Sequence, residues 1–68
     1  MPSVSQRVGR TIQRLRERRG LTQEGLAAKA GISRGYVARV ETGRHDLPLS
    51  TLVRLAKALG VGAEELVR

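Results

Sequence analysis

The chain has 68 residues and no cysteine. The lack of cysteine excludes a disulfide scaffold and a thiolate metal site, and a domain of this length buries only about 60% of the surface that its unfolded chain exposes. No apolar run approaches the roughly 18 residues that span a bilayer, and residues 1–10 lack a stretch of signal-peptide length, so we expect a soluble, cytoplasmic protein. The formal net charge of +7 lies within residues 1–45, because residues 46–68 hold three basic and three acidic side chains. This one-sided positive charge favours nucleic acid as the partner. The alternative is that the charge only keeps the protein soluble.

The first predicted helix spans residues 5–19. Ser3 and Gln6 match a capping box at its start, and Gly20 supplies a left-handed residue at its end. Its apolar residues recur at intervals of three and four and form one stripe: Val4, Val8, Ile12 and Leu15. A second stripe is basic, and such a stripe is usually a solvated face, with long-range attraction to DNA as the alternative: Arg7, Arg10, Arg14 and Arg18.

Two shorter helices follow, and both begin in the same way. Thr22 and Ser33 are predicted N-caps, each preceded by an apolar residue that forms a hydrophobic staple. Gly31 ends the second helix, and Gly43 ends the third at about Thr42.

Residues 43–49 are predicted to form a loop, after which Ser50 caps a fourth helix that ends at Gly60. Residues 62–67 form a last helix of one or two turns. All eight glycines are assigned to helix ends or first turns. The pattern therefore predicts an all-α protein of five short helices.

The third predicted helix has one polar face. At about 100° per residue, five of its residues fall within an arc of about 140°: Arg34, Gly35, Ala38, Arg39 and Thr42. This face carries two arginines and no acidic residue, with small residues between them. A helix that enters a major groove needs such a face, because small residues permit close approach and arginine donates to base edges.

Four motifs in combination resemble the Cro/CI-type (XRE-family) helix-turn-helix: GLTQ at 20–23, LA..AG.S at 26–33, E.G at 41–43 and L..LAKALGV at 52–61. The resemblance covers about residues 8–66. It implies a compact five-helix lambda-repressor-like DNA-binding domain, with one domain over residues 1–68 and a helix-turn-helix core at 22–42.

The resemblance also assigns roles to residues. It implies that four residues face the bases: Arg34, Gly35, Ala38 and Arg39. It implies that seven lie at the phosphates: Thr22, Gln23, Ser33, Tyr36, Thr42, Gly43 and Arg44. For Tyr36, packing against the core is the alternative. Arg16 and Glu41 match a pair that forms an internal ion pair in this family. Gly35 departs from the family, because relatives often carry a base-contacting side chain at that position.

The implied function is a sequence-specific double-stranded DNA-binding transcriptional regulator of a bacterium or phage, associated with the nucleoid. It would repress, or regulate its own gene, by binding a palindromic operator as a homodimer with the third helix in the major groove. Stand-alone relatives of this size include phage Cro-like repressors and the controller proteins of restriction–modification systems. Four apolar residues are candidates for the dimer interface, with completion of the monomer core as the alternative: Leu49, Val53, Val61 and Val67.

Other functions are less consistent with the sequence. An antitoxin that sequesters a toxin is the main alternative, but we expect no toxin-binding segment beyond Arg68. RNA binding lacks an aromatic stacking platform, since Tyr36 is the only aromatic residue. His45 beside Asp46 provides too few candidate ligands or catalytic groups for a metal site or a catalytic site. We therefore expect no enzyme activity, no metal or other cofactor, and no small-molecule ligand.

Overall fold

The computed structural model describes residues 2–44 and 47–68, and within them the chain forms α-helices and no strand. The helices are α1 (Val4–Arg18), α2 (Gln23–Ala30), α3 (Arg34–Glu41), α4 (Leu49–Leu59) and α5 (Ala63–Val67). The predicted five-helix, all-α class is confirmed. In the described part of the chain, no helix has the length and apolar character needed to cross a membrane. The predictions for His45 and Asp46 lie outside the described residues.

The first three helices begin as the sequence predicts. Ser3 and Gln6 form the capping box of α1, with each side chain bonded to the backbone N–H of the other residue. The hydroxyl of Thr22 accepts a hydrogen bond from the Gly25 N–H at 2.9 Å, and that of Ser33 accepts from the Tyr36 N–H at 3.1 Å. These bonds satisfy backbone donors that a helix N-terminus otherwise leaves unpaired.

The prediction that Ser50 caps α4 is wrong. The helix begins at Leu49, and Pro48 is its N-cap without a side-chain capping bond. The Pro48 carbonyl accepts from the N–H groups of Thr51 and Leu52, both at 3.1 Å. Proline stands easily at a helix start because its fixed φ is compatible with the first turn and its missing N–H is not needed there. Ser50 is therefore already inside the helix.

All five helices contribute to one aliphatic core. Its fully buried side chains are Ile12, Leu26, Val37, Leu55, Leu59 and Leu66. Burying each such side chain contributes roughly 1.5–3 kcal/mol. Helix α2 packs against α3 and α4, whereas α1 packs against α3 and α5. This arrangement buries the inner face of α3 and leaves its polar face at the surface.

Gly9 corrects the assignment of every glycine to a helix end or first turn. It lies in the middle of α1 and is buried, and a Cβ there would overlap the backbone carbonyl oxygens of Val40 and Glu41. Gly43, with a φ of +75°, makes a similar approach: its Cβ would lie 2.6 Å from Cγ of Gln6. Helix α1 thus touches the backbone at the C-terminal end of α3, and this contact fixes the position of α3.

Candidate nucleic-acid interface

The outer face of α3 is basic and uncovered. Arg34, Gly35 and Arg39 are exposed, whereas Val37 and Val40 on the opposite side are buried. Ala38 lies between the two and is half-buried. Within residues 2–44 and 47–68, neither Arg34 nor Arg39 is bridged to an acidic side chain. Both guanidinium groups can therefore donate to an external acceptor.

Gly35 and Arg39 lie close together on this face. A Cβ at Gly35 would be 3.9 Å from Nη1 of Arg39, so the arginine side chain lies back along α3 over the glycine. A methyl group at position 35 would make only an ordinary van der Waals contact with this guanidinium.

A depression lies beside the N-terminus of α2. It is lined by Arg16, Thr22, Gln23, Glu24 and Arg34. Free backbone N–H groups and the positive end of the helix dipole make such a terminus suitable for an anion. Arg34 adds positive charge from α3, and Glu24 adds one negative group. The depression therefore joins the N-termini of α2 and α3 in one polar surface.

A buried polar cluster lies beneath that depression. The Arg16 guanidinium donates to the Glu41 carboxylate from Nε at 2.7 Å and from Nη2 at 3.1 Å. Only 11% of the Arg16 side chain and 4% of the Glu41 side chain are exposed. The hydrogen bonds with Glu41 raise the pKa of Arg16 above its ordinary value. The structure thus brings together Arg16 and Glu41, the two residues that the family resemblance pairs.

The third member of this cluster, Gln23, is not predicted from the sequence. Gln23 donates from Nε2 to the Glu41 carboxylate at 3.0 Å. The family resemblance implies only a phosphate contact for Gln23, and its position at the start of α2 says nothing about a residue 18 positions further along the chain. The helix-turn-helix geometry alone brings the start of α2 to the end of α3.

The remaining candidate phosphate contacts lie at helix ends. Thr42 and Arg44 are exposed at the end of α3, where the Thr42 hydroxyl donates to the Arg39 carbonyl at 2.7 Å. Gly43 between them is half-buried. The hydroxyls of Thr22 and Ser33 are exposed and cap their helices. Tyr36 is half-buried and packs against the core.

The candidate dimer residues divide into two groups. Leu49, Val53 and Val67 are exposed, with 73%, 45% and 44% of their surface accessible. Val61 is half-buried and packs on the core.

Val4 departs from the sequence prediction, which includes it in the inward stripe of α1, because it is 64% exposed. It lies in the first turn of α1, where it lines a shallow groove with Leu47, Leu52 and Val67.

In residues 2–44 and 47–68, no three acidic or histidine side chains come close enough to hold a metal ion. The polar surface of α2 and α3, with its exposed arginines and the depression beside the α2 N-terminus, is the candidate site.

Comparisons with known proteins agree with this geometry. The sequence profile of the family HTH_3, described as helix-turn-helix, matches residues 12–66. An uncharacterized HTH-type transcriptional regulator of Sinorhizobium fredii is 47% identical over 60 residues, which cover 88% of this chain and 78% of that protein. The immunity repressor protein of Bacillus phage phi105 is 45% identical over 60 residues. This match covers 88% of the chain and 42% of the phage protein.

Solved structures give the same result. The restriction-modification controller protein C.AhdI from Aeromonas hydrophila matches with a TM-score of 0.89 and 37% identity. The match covers 91% of this chain and 94% of that one. The chain thus spans almost all of the controller protein but less than half of the phage repressor.

Proposed function

The chain belongs to the helix-turn-helix family HTH_3 and is a transcriptional regulator of that type; from this premise we propose that it binds a specific double-stranded DNA operator and represses transcription there. In this proposal α3 enters the major groove, and a second copy binds the other half of a palindromic site. Related half-sites lie about one helical turn, or roughly 34 Å, apart.

The exposed, acid-free face of α3 is the observation that carries the proposal. Arg34 and Arg39 are exposed on a helix whose opposite side is held in the core by Val37 and Val40. An arginine can donate two hydrogen bonds to the edge of guanine, so we expect at least one G·C pair in each half-site. Gly35 and Ala38 bring little bulk to this face and permit close approach of the helix to the bases.

Contacts with the DNA backbone would flank this helix on both sides. Thr22, Gln23 and Ser33 lie at the N-termini of α2 and α3, where backbone N–H groups favour phosphate. Thr42, Gly43 and Arg44 lie at the other end of α3 and supply the second contact. Tyr36, half-buried between them, can reach a phosphate only through its hydroxyl. Such contacts orient the protein without specifying sequence.

Dimerisation would use the apolar surface of α4 and α5. Leu49 and Val53 are one turn apart on α4, and Val67 is on α5. All three are exposed, and burying them against a second copy would remove apolar surface from water. Val61 packs on the core, so it is left out of the proposed interface.

Selection of random duplex DNA by the purified protein tests the proposal. We expect a palindromic motif with G·C pairs in each half, and an affinity that falls steeply when the salt concentration is raised, because bound phosphates release counterions. Salt-dependent binding without a motif would contradict sequence-specific regulation. It would favour a role in which a protein partner, such as a toxin, is the main ligand.

Two arginine variants locate the base contact. Arg39→Ala should weaken operator binding by about 1–3 kcal/mol and relax the preference at one base pair, with a smaller loss on random duplex. Arg18→Ala is the matched control, because it removes the same charge from an exposed position at the end of α1. It should leave the selected motif unchanged. An equal loss for Arg39→Ala on operator and random DNA would assign Arg39 to a phosphate instead.

A further inference from the structure

One buried carboxylate connects three parts of the candidate site. The two oxygens of Glu41, at the end of α3, accept three hydrogen bonds: two from Arg16 and one from Gln23. Arg16 also donates from Nη1 to the carbonyl of Leu21 at 2.8 Å, immediately before the N-cap of α2. The cluster therefore fixes the start of α2 relative to the end of α3, and both ends are proposed phosphate contacts.

The bond to Glu41 restricts the side-chain amide of Gln23. This amide has two N–H donors, and one of them is directed at the carboxylate, 3.0 Å from Nε2. Because an amide group is planar, fixing one donor also fixes the direction of the other. Gln23 itself lines the depression beside the N-terminus of α2. The second donor is therefore held in a defined direction before any ligand arrives.

The charges of the cluster are compatible with a nearby phosphate. A carboxylate next to the α2 N-terminus would by itself repel an anion. Glu41, however, is bonded through both oxygens to the guanidinium of Arg16, so the pair has no net charge. The phosphate then meets the helix terminus and the glutamine amide without an uncompensated negative group beneath them.

We propose that Glu41 is a positioning residue for the DNA-backbone contact made by Gln23. Glu41 does not touch DNA. It holds the amide of Gln23 so that the remaining N–H donates to a phosphate at the N-terminus of α2. A glutamine side chain without this support would lose rotamer freedom when it bound DNA, and its contact would be weaker. This inference rests on the proposed DNA binding and adds the residue that prepares one of its contacts.

A double-mutant cycle on DNA affinity tests the coupling. Glu41→Gln keeps the shape of the side chain but leaves one carbonyl oxygen where two oxygens accepted three donors. Glu41→Gln and Gln23→Ala should each lower the affinity for operator and random duplex alike by about tenfold, within the usual range for residues in contact. The double variant should bind no more weakly than Gln23→Ala. Losses that multiply in the double variant would overturn the proposal.

A charge-matched control separates a positional effect of Glu41 on DNA affinity from the general effect of removing a negative charge. Removing an acidic group raises the net charge, which by itself should strengthen DNA binding. Glu17→Gln makes the same change at an exposed position of α1 and measures this general effect. A loss of affinity in Glu41→Gln against a gain in Glu17→Gln identifies a positional role. Circular dichroism at the binding temperature establishes that each variant is folded.

Nuclear magnetic resonance of the wild-type protein provides a test that does not depend on any variant. The side-chain amide of Gln23 should be rigid in the free protein, and both of its protons should shift when duplex DNA is added. Gln13, exposed on α1, is the comparison and should remain mobile. A Gln23 amide as mobile as that of Gln13 would overturn the positioning role. If the protein bound no duplex while the Gln23 amide stayed rigid, the proposed DNA binding itself would be wrong.

Discussion

Helices α1, α2 and α3 begin with the hydroxyl caps Ser3, Thr22 and Ser33, whereas α4 and α5 begin at Pro48 and Gly62 without a side-chain cap. The difference extends beyond the helix ends. In the described residues, the one ion pair and the glutamine bonded to it join α1, α2 and α3. Arg19, the residue after α1, donates a hydrogen bond to the Leu59 carbonyl at the end of α4. Apolar side chains of α4 and α5 pack in the same core as those of the first three helices.

This contrast matches the task proposed for each region. Hydrogen bonds depend on direction and distance, so they hold the first three helices in a defined geometry, as the proposed contacts with phosphates and base edges require. Apolar packing is not directional, and the last two helices leave Leu49, Val53 and Val67 exposed. One region therefore offers a preorganised polar surface, and the other offers apolar area that a second copy can cover.

Removing Glu41 should have the largest effect on the polar region. Glu41→Ala leaves the charge of Arg16 in a mostly buried position, and we expect a loss of about 3 kcal/mol in the free energy of unfolding, measured by urea denaturation. The hydrogen bonds to Glu41 raise the pKa of Arg16 above its ordinary value, so the stabilisation that comes from the Arg16 charge is fully present below that ordinary value and is lost only when the pH rises through the raised pKa. Glu17→Ala, at an exposed position, should change stability by less than about 0.5 kcal/mol. Equal effects would show that the ion pair does not hold these helices together.

Gly9 tests the close contact between α1 and α3. A methyl group at this position would overlap the carbonyl oxygens of Val40 and Glu41, so Gly9→Ala should cost about 2 kcal/mol, even though alanine favours a helix by about 1 kcal/mol. Gly35→Ala is the control, because only the end of Arg39 lies within 4 Å of the added Cβ. It should stabilise α3 by about 0.5 kcal/mol. Thermal unfolding that shifts upward for both variants would contradict the tight contact.

The sequence predicts local features of the fold well. Helix bounds and the caps Thr22 and Ser33 follow from spacing and from hydroxyl chemistry that acts over three residues. Ser50 misleads because Pro48, two residues earlier, already provides a suitable helix start. Val4 misleads because an apolar stripe does not reveal where the core ends.

The candidate site is predictable only in part. The polar arc of α3 is visible in the sequence because it depends on one helix, and the pairing of Arg16 with Glu41 is available from the family resemblance. The bond between Gln23 and Glu41, and the approach of Gly9 to Val40, depend on how separate helices cross. Local patterns carry no information on such crossings, so these contacts appear only in the structure.

Leu49 tests whether the apolar region forms a dimer. Leu49→Asp should raise the dimer dissociation constant by at least tenfold, since each of the two copies loses a leucine whose burial contributes roughly 1.5 kcal/mol, and sedimentation measures this directly. The stability of the monomer should hardly change, because 73% of Leu49 is exposed. Ser50→Asp places the same charge on the next residue of α4 and should have little effect on association. If both variants dissociate equally, the added charge and not the lost leucine is responsible.

The smallest expected effect compares the two kinds of helix start. Ser33→Ala removes the acceptor of the Tyr36 N–H and should lower the free energy of unfolding by about 1 kcal/mol. Ser50→Ala should change it by less than about 0.5 kcal/mol, because Ser50 lies inside α4 and Pro48 is the N-cap. Both serines are exposed, so loss of buried surface cannot explain a difference between them. An equal loss of stability in Ser50→Ala and Ser33→Ala would mean that α4 depends on a side-chain cap after all. The two regions would then differ only in the ion pair of the first and the exposed apolar residues of the second.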